Sequence, residues 1–560
     1  MGEQRLERVH CIFRDEIIPY GCRVAQKTTE GRFTKSHVID PDEPLLSQIS
    51  DEEIFGIVRG KKRRKIIKKN MSHVKGPAFE PQAFSPDTER TLEEISDAAK
   101  GSEWTPLLHH KCTFPPEIFS QTMMNMIRNP NINSSHLFRA DISLEQPYDE
   151  DFQNNVTIPA RIIQFRDYTL QKVMVRTMIP RNMLKDKPLD QTCLFYQSAG
   201  LPGEVKTMVI YLPHISSPEE APFYHPAVRG IAFQHSFHPD TQEGTISIQY
   251  SFFDACPRTV KLERTAQHLL AALYKHGQGT AAGYVKRVHH DTIIPQATVQ
   301  NTYARLKAKY ARELIENWVE VTDPEKHVFE DLSIAAFLIE LWAEMYKDEE
   351  FPGYADIGCG NGLLVHILSE EGYRGWGFDA RRRKSWDAFG TKTREKLKEL
   401  VLIPSILSSE QDDAQGGTPG IHDGLFPEGT FIVSNHADEL TPWTPILATM
   451  SKSPFIMIPC CSHALSGARF RAPPPKDAGA SSSAYASLVS WVAELAKQSG
   501  WDVEKEMLRI PSTRNAALIG RRRISGFEEV DVQQIVNMNG GAVGWKDNAM
   551  KLVTGKEKNH

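Results

Sequence analysis

The run Asp356-Ile357-Gly358-Cys359-Gly360-Asn361-Gly362 carries the residue types that a bound nucleoside needs. Its alternating glycines let the backbone turn tightly and approach a ligand more closely than side chains permit. An acid opens the loop. Before it, Tyr354 to Ile357 form the end of a short apolar segment. After it, Leu363, Leu364, Ile367 and Leu368 share one helical face. A second apolar run, Gly375-Trp376-Gly377-Phe378, ends at Asp379, where an acid is placed to take ribose hydroxyls. Strand, loop, helix, strand and acid in that order are far more specific than glycines alone.

The ligand follows from the spacing. A dinucleotide fingerprint sets its third glycine three residues after the second, and here that position is Leu363. Asp356 would also put negative charge beside a pyrophosphate. S-adenosyl-L-methionine has a sulfonium, an ammonium and no phosphate, so an acid followed by G-x-G-x-G suits it. The plain alternative is a tight strand-to-helix turn without a ligand, and a nicotinamide enzyme is the weakest rival.

The elements that must position these residues alternate as a doubly wound sheet requires. From Gly353 the order is Tyr354–Ile357, a helix to Ser369, Trp376–Phe378, a basic helix (Arg381, Arg382, Arg383, Lys384, Lys392, Arg394, Lys396), then Leu400–Ile403, Thr430–Ser434 and Phe455–Ile458. A helix over Tyr485–Gln498 and a closing antiparallel pair, Glu504–Ile510 and Ala516–Gly520, complete it. Ligands in such sheets bind beyond the carboxyl ends of the strands. That rim gathers the glycine loop, Asp379, and Asn435-His436-Ala437-Asp438-Glu439-Leu440-Thr441-Pro442-Trp443, the densest polar cluster at a predicted strand end. Asp438 and Glu439 there either serve the chemistry or cap the next helix. Pro459-Cys460-Cys461-Ser462-His463 ends a strand at the same rim; adjacent cysteines are poor joint ligands, so a packed thiol pair is expected and no metal.

Upstream, 158–255 reads as strands such as Val173–Ile179, Met208–Leu212 and Thr245–Tyr250. Helices are expected over Thr265–His276, Val299–Val319 and Phe329–Tyr346. The expected organisation is a polar, partly disordered segment over 1–100, an α+β accessory region over 101–295, to which the family resemblance given below assigns tRNA recognition, and a Rossmann-like α/β domain over 296–525 with a flexible insertion at 471–483. A weakly patterned tail fills 526–560. The net charge of −5 gives no general affinity for polyanions, so any nucleic-acid surface must be local. The basic run Lys61, Lys62, Arg63, Arg64, Lys65 is such a place, read as an RNA-phosphate contact, a nuclear-import signal or a solvated loop. Scattered cysteines (Cys11, Cys22, Cys112, Cys193, Cys256, Cys359, Cys460, Cys461), a polar amino terminus and no run of ~20 apolar residues place the expected protein in the cytoplasm, without a membrane partner.

Asp356–Gly362 with Gly377-Phe378-Asp379-Ala380-Arg381, the Asn435–Trp443 loop, Pro459-Cys460-Cys461 and the stretch His327-Val328-Phe329-Glu330-Asp331-Leu332-Ser333-Ile334-Ala335 resemble the eukaryotic tRNA (uracil-2′-O-)-methyltransferase family. The resemblance covers about 285–525. It implies a class I, S-adenosylmethionine-dependent fold and methylation of the ribose of uridine 44 in serine tRNAs. It further implies cofactor contacts from Asp356, Gly358, Gly360, Asn361, Gly362, Asp379 and Asn435, with Asp438 and Glu439 at the acceptor face beside Asn435. The Lys-Asp-Lys-Glu set of many ribose methyltransferases has no counterpart here, because the strand-end loop offers no lysine. Asp438, Glu439 and His436, in that order, are the expected proton acceptors. Methylation of another RNA or a protein, and a non-catalytic RNA-binding scaffold, stay open, as does the need for a helper protein.

Overall fold

The structure is a computed structural model that describes residues 79–84, 92–95, 103–183, 185–198, 203–253, 259–286, 289–407, 420–475 and 483–553, besides the short strands Arg23–Val24 and His37–Val38. The basic run from Lys61 to Lys65 and residues 476–482 of the expected insertion lie outside the described residues. The chain divides into two compact units, Met1–Val285 and Lys286–His560. Among the described residues no helix is long and apolar enough to cross a membrane.

The first unit is built on an eight-stranded sheet in the order Gln82–Ala83, Trp104–Cys112, Glu243–Ser251, Gly230–His238, Val205–Pro213, Leu189–Gln197, Thr169–Pro180, Leu137–Pro147. Every pairing is antiparallel, as short loops between successive strands demand. One face packs on the helices Pro116–Arg128 and Val260–Ala281, where Phe119, Met123, Leu270 and Leu273 meet Ile246, Ile248 and Phe233. Trp104, Val175, Leu194, Tyr196 and Ile210 bury the opposite face. The helix expected over Thr265–His276 runs longer, because Thr259 caps it by accepting from the Leu262 N–H.

The second unit holds a seven-stranded sheet in the order Leu397–Glu399, Gly375–Asp379, Tyr354–Ile357, Phe431–Asn435, Phe455–Ile458, Ala516–Arg523, Trp501–Met507. The first five are parallel and Ala516–Arg523 runs against its neighbours. Tyr354–Ile357 and Phe455–Ile458 are buried along their whole length, since both faces of a parallel sheet are covered. Strand order reverses between Tyr354–Ile357 and Phe431–Asn435. Their carboxyl ends therefore leave in different directions and open a crevice.

Three expectations need correction. The basic helix breaks into Lys384–Ala388 and Thr391–Arg394, because Phe389 and Gly390 are extended between them. The strand expected over Leu400–Ile403 is split: Leu397–Glu399 joins the main sheet, and Val401–Leu402 pairs with Ile421–His422 in a ribbon of its own. Nor is 526–553 a loose tail. Helices Val532–Met538 and Trp545–Val553 pack on the domain, with the buried Trp545 indole donating to the Leu402 carbonyl at 3.0 Å and lying 5.5 Å from Trp443. Ile535, Val536 and Ala549 are buried in the same core beside this aromatic. Trp545→Ala is expected to destabilise the second unit by about 3–5 kcal/mol. Thermal denaturation checks this, and an unchanged midpoint would show that the terminal helices contribute nothing to the fold.

Candidate active site

The crevice at the strand reversal is lined from four elements. Gly358, Gly360 and Gly362 all take positive φ (70°, 52° and 72°), so the loop after Asp356 could not be built from other residues without strain. Their neighbours differ. A methyl group on Gly362 would press on the Leu397 side chain at 2.8 Å, so that glycine serves packing inside the protein. A methyl group on Gly360 would meet nothing within 4 Å, so that one faces open space, as a ligand-facing position must. Asn361 also turns inward: its Oδ1 accepts from the Leu363 N–H at 2.9 Å and opens the helix Leu363–Glu370. Its Oδ1 is thus held at the helix start, while its amide Nδ2 and its backbone stay available to a cofactor.

Asp379 stands at the end of the neighbouring strand. Its Oδ2 takes the Gly360 N–H and its Oδ1 the Arg381 N–H, both at 3.1 Å, which ties the acid to the glycine loop. Trp386 Nε1 donates to the Gly360 carbonyl at 3.0 Å from the far side. Loop and acid form one rigid piece.

Asp356 is 1 % exposed, and its Oδ1 has no hydrogen-bond partner. Burial first, then the charges of Asp331 and Asp379, push its carboxyl well above the ordinary carboxylate range. Asp331 itself, on the helix Pro324–Met345, is pushed up to about 8 by burial and by the adjacent Glu330, against the hydrogen bond from Asn435. Two buried acids, Asp331 and Asp356, with the half-buried Asp379 beside them at the mouth of a strand reversal, form an arrangement suited to a cation.

Asn435 ends its strand and donates from Nδ2 to Asp331 Oδ1 at 3.3 Å, while its own Oδ1 has no partner. His436 and Asp438 follow with φ of 51° and 44°, a conformation that non-glycine residues adopt at a cost of about 1–3 kcal/mol each. His436 N–H is anchored on the Ile458 carbonyl at 3.2 Å. Its ring Nε2 lies 3.2 Å from Glu330 Oε1, and its Nδ1 has no partner. A carboxylate oxygen only accepts, so with Glu330 ionised Nε2 is the donor of this contact, and in a neutral ring Nδ1 is then the acceptor.

Asp438, the first expected proton acceptor, is engaged elsewhere. Cys460 Sγ donates to its Oδ1 at 3.0 Å, and one donor atom from each of Asp438, Cys460 and Cys461 lies within 4.8 Å of the others. Burial and Asp438 hold both thiols above their usual range, which favours an S–H···O bond over a thiolate. Cys460 is half-buried and Cys461 exposed, so the two thiols are not the packed pair expected, and Asp438 stands beside both. Glu439 opens the same short 3₁₀ turn, Asp438–Trp443.

The crevice brings together Asp356, Gly358, Gly360, Asp379, Asn435 and His436 of the expected residues. Glu330 and Asp331 were missed as site residues. Their signal was visible: two adjacent carboxylates, both buried, in a helix otherwise dominated by Ile, Ala, Phe, Leu and Trp.

Comparison with known proteins now decides the family. Residues 80–287 match the family description "TRM44-like, N-terminal bet v1-like domain", and residues 293–404 match "Predicted AdoMet-dependent methyltransferase". A Neurospora crassa protein named tRNA (uracil-O(2)-)-methyltransferase is 52% identical over 497 residues, covering 85% of this chain and 98% of the relative. The chain belongs to the tRNA (uracil-O(2)-)-methyltransferase family. Relatives of that name from Schizosaccharomyces pombe (38% identical, 83% of this chain and 95% of theirs) and Candida glabrata (37%, 84% and 98%) agree. Like the rest of the family, it is an enzyme with an S-adenosylmethionine-dependent methyltransferase domain.

Proposed function

We propose that this enzyme transfers a methyl group from S-adenosylmethionine to the 2′-hydroxyl of a uridine ribose in tRNA, at position 44 of serine tRNA, and does so in the cytoplasm. The tRNA substrate rests on the names of the relatives, and the nucleotide and tRNA species on the motif resemblance. One structural observation carries the cofactor assignment: a buried, unpartnered Asp356 oxygen beside a glycine loop that leaves open space. The donor set fits the group. Asp356 and Asp331 would hold its cationic end, the backbone at Gly360 would admit its close approach, and Asp379 would accept from its ribose hydroxyls. When bound, the cofactor supplies an electrophilic methyl on a sulfonium.

The acceptor hydroxyl must be aligned and must lose its proton as its oxygen attacks. His436 Nδ1 takes that proton, and Glu330 stabilises the ring as it becomes charged. Incubation with labelled methyl donor and unmodified tRNA, followed by nucleoside mapping, tests the reading. Label in a 2′-O-methyluridine at position 44 supports it; label in a base, in protein or nowhere refutes it.

The raised Asp331 carboxyl sets a pH dependence. Below about 8 it is protonated and neutral; above, it ionises and attracts a cation. Affinity for S-adenosylmethionine in the wild type, relative to Asp331→Asn, is therefore expected to rise about three- to tenfold from about pH 6.5 to about 9. The variant cancels the titration of the ligand's own amine. Without ligand the sign reverses. The folded-state value lies above the unfolded one, so this group's contribution to stability is complete at low pH and is lost as pH rises through about 8. Calorimetry and melting at both pH values check the pair.

A further inference from the structure

In the second unit, the loop between the helices Gln296–Glu316 and Pro324–Met345 carries the stretch Trp318-Val319-Glu320-Val321-Thr322. Hydrogen bonds fix it. Trp318 Nε1 donates to the Thr322 carbonyl at 2.9 Å, and its half-buried ring packs against the core of the unit. Glu320 Oε1 accepts from the Ser385 N–H at 2.8 Å, and Ser385 Oγ donates to the Asn361 carbonyl at 2.7 Å. That chain of contacts ties the loop to the glycine loop of the crevice. Held in this way, Val319 is 45 % exposed and Val321 94 %. Scattered apolar side chains on a surface are ordinary, but a fixed group of them beside a crevice has the composition of a binding surface.

Trp318 meets His327, in the first turns of Pro324–Met345. Their ring planes are 8° apart with centroids at 5.8 Å, so the rings overlap only in part and together form an extended flat shelf. His327, Glu330 and Asp331 recur at i, i+3 and i+4 and therefore share one face of the helix. Glu330 meets the His436 ring and Asp331 meets Asn435, so the shelf adjoins the proposed proton acceptor along that face. Burial above all lowers the His327 ring from its ordinary value; Glu330 opposes this, and Lys326 and His436 add to it. At neutral pH the ring is uncharged, as suits stacking against another flat ring.

We propose that Trp318 and His327 form a stacking shelf for the base of the nucleotide whose 2′-hydroxyl is methylated, with Val319 and Val321 at its edge. The proposal rests on the tRNA reading above. To bring its 2′-oxygen to His436 Nδ1, the nucleotide must leave its neighbours in the RNA chain, and its base then loses their stacking. Aromatic side chains, Trp and His among them, replace that contact where proteins hold unstacked bases. A base lies one sugar ring from its own 2′-oxygen, and His327 lies one helical turn from Glu330, the partner of His436. Every base has a flat face, so the shelf aligns the nucleotide and does not select uracil.

The test uses the full chain and measures kcat/KM for methyl transfer to two tRNAs that differ only at the target position: one carries uridine there, the other a ribose without its base. His327→Leu keeps apolar bulk on the helix and removes the flat ring; Trp318→Phe keeps a smaller ring in the core. On the uridine tRNA, His327→Leu is expected to lower kcat/KM about tenfold and Trp318→Phe about threefold. The wild type is expected to lose about tenfold on the base-less tRNA, and there the two variants lose nothing further, because the contact they disturb has already gone. S-adenosylmethionine affinity and melting temperature stay close to wild type in both. If the variants lose as much on the base-less tRNA as on the uridine tRNA, the rings do not touch the base and this inference alone is overturned. If the wild type methylates no ribose in either tRNA, the function proposed above falls as well.

Discussion

Asp356→Asn is expected to weaken S-adenosylmethionine binding about 100-fold, or about 2.7 kcal/mol, while leaving the protein as stable as before or more so. The opposed signs follow from one geometry. Asp356 is 1 % exposed, has an oxygen without a partner, and is repelled by Asp331 and Asp379. Neutral Asn of the same shape removes from the folded state the cost of holding that buried acid protonated. It also removes the carboxylate that a sulfonium and an ammonium would be drawn to. Enzymes keep groups that destabilise the free protein when a ligand relieves them, and loss of function then coincides with a gain in melting temperature. Calorimetry with the cofactor, and thermal melting without it, read the two signs separately. A variant that melts lower and binds normally would make Asp356 a structural acid and would remove the basis for placing the cationic end of the ligand there.

The glycine loop and Asp379 were legible in the sequence because they are local. Spacing within one strand-loop-helix unit fixes them, and the register Asp356↔Gly377 only brings neighbouring strands together. Glu330 and Asp331 were not, although the stretch holding them was noticed. A carboxylate pair on an apolar helix becomes part of a site only when the fold sets it against Asn435 and His436, more than a hundred residues away. The proposed order of candidate bases changes for a related reason. Asp438 looks free in sequence, but the approach of Cys460 across two strand ends occupies it. The terminal helices escaped notice because they are short and bury only a few residues each, Ile535, Val536, Trp545 and Ala549, too few to show a repeating pattern. Local chemistry was readable; contacts between distant elements were not.

The same geometry makes His436 the residue whose loss should slow the chemistry most. His436→Ala is expected to lower kcat about 10²–10³-fold, within the range for removing a general base, with cofactor affinity unchanged. Glu330 acts through the ring and is a positioning residue. Its Oε1 lies 3.2 Å from Nε2, so it fixes the tautomer and stabilises the charge that develops on the imidazole. Glu330→Gln keeps the shape but removes that charge. It should lower kcat by about tenfold, since the charge that develops on the imidazole loses its carboxylate. Asp438→Ala, by contrast, removes the acceptor of a thiol hydrogen bond and should leave kcat close to the wild-type value. A merely structural Glu330 would change melting temperature or KM without lowering kcat. Full kcat in His436→Ala would return the proton to solvent, and catalysis here would then rest on alignment of the ribose oxygen alone.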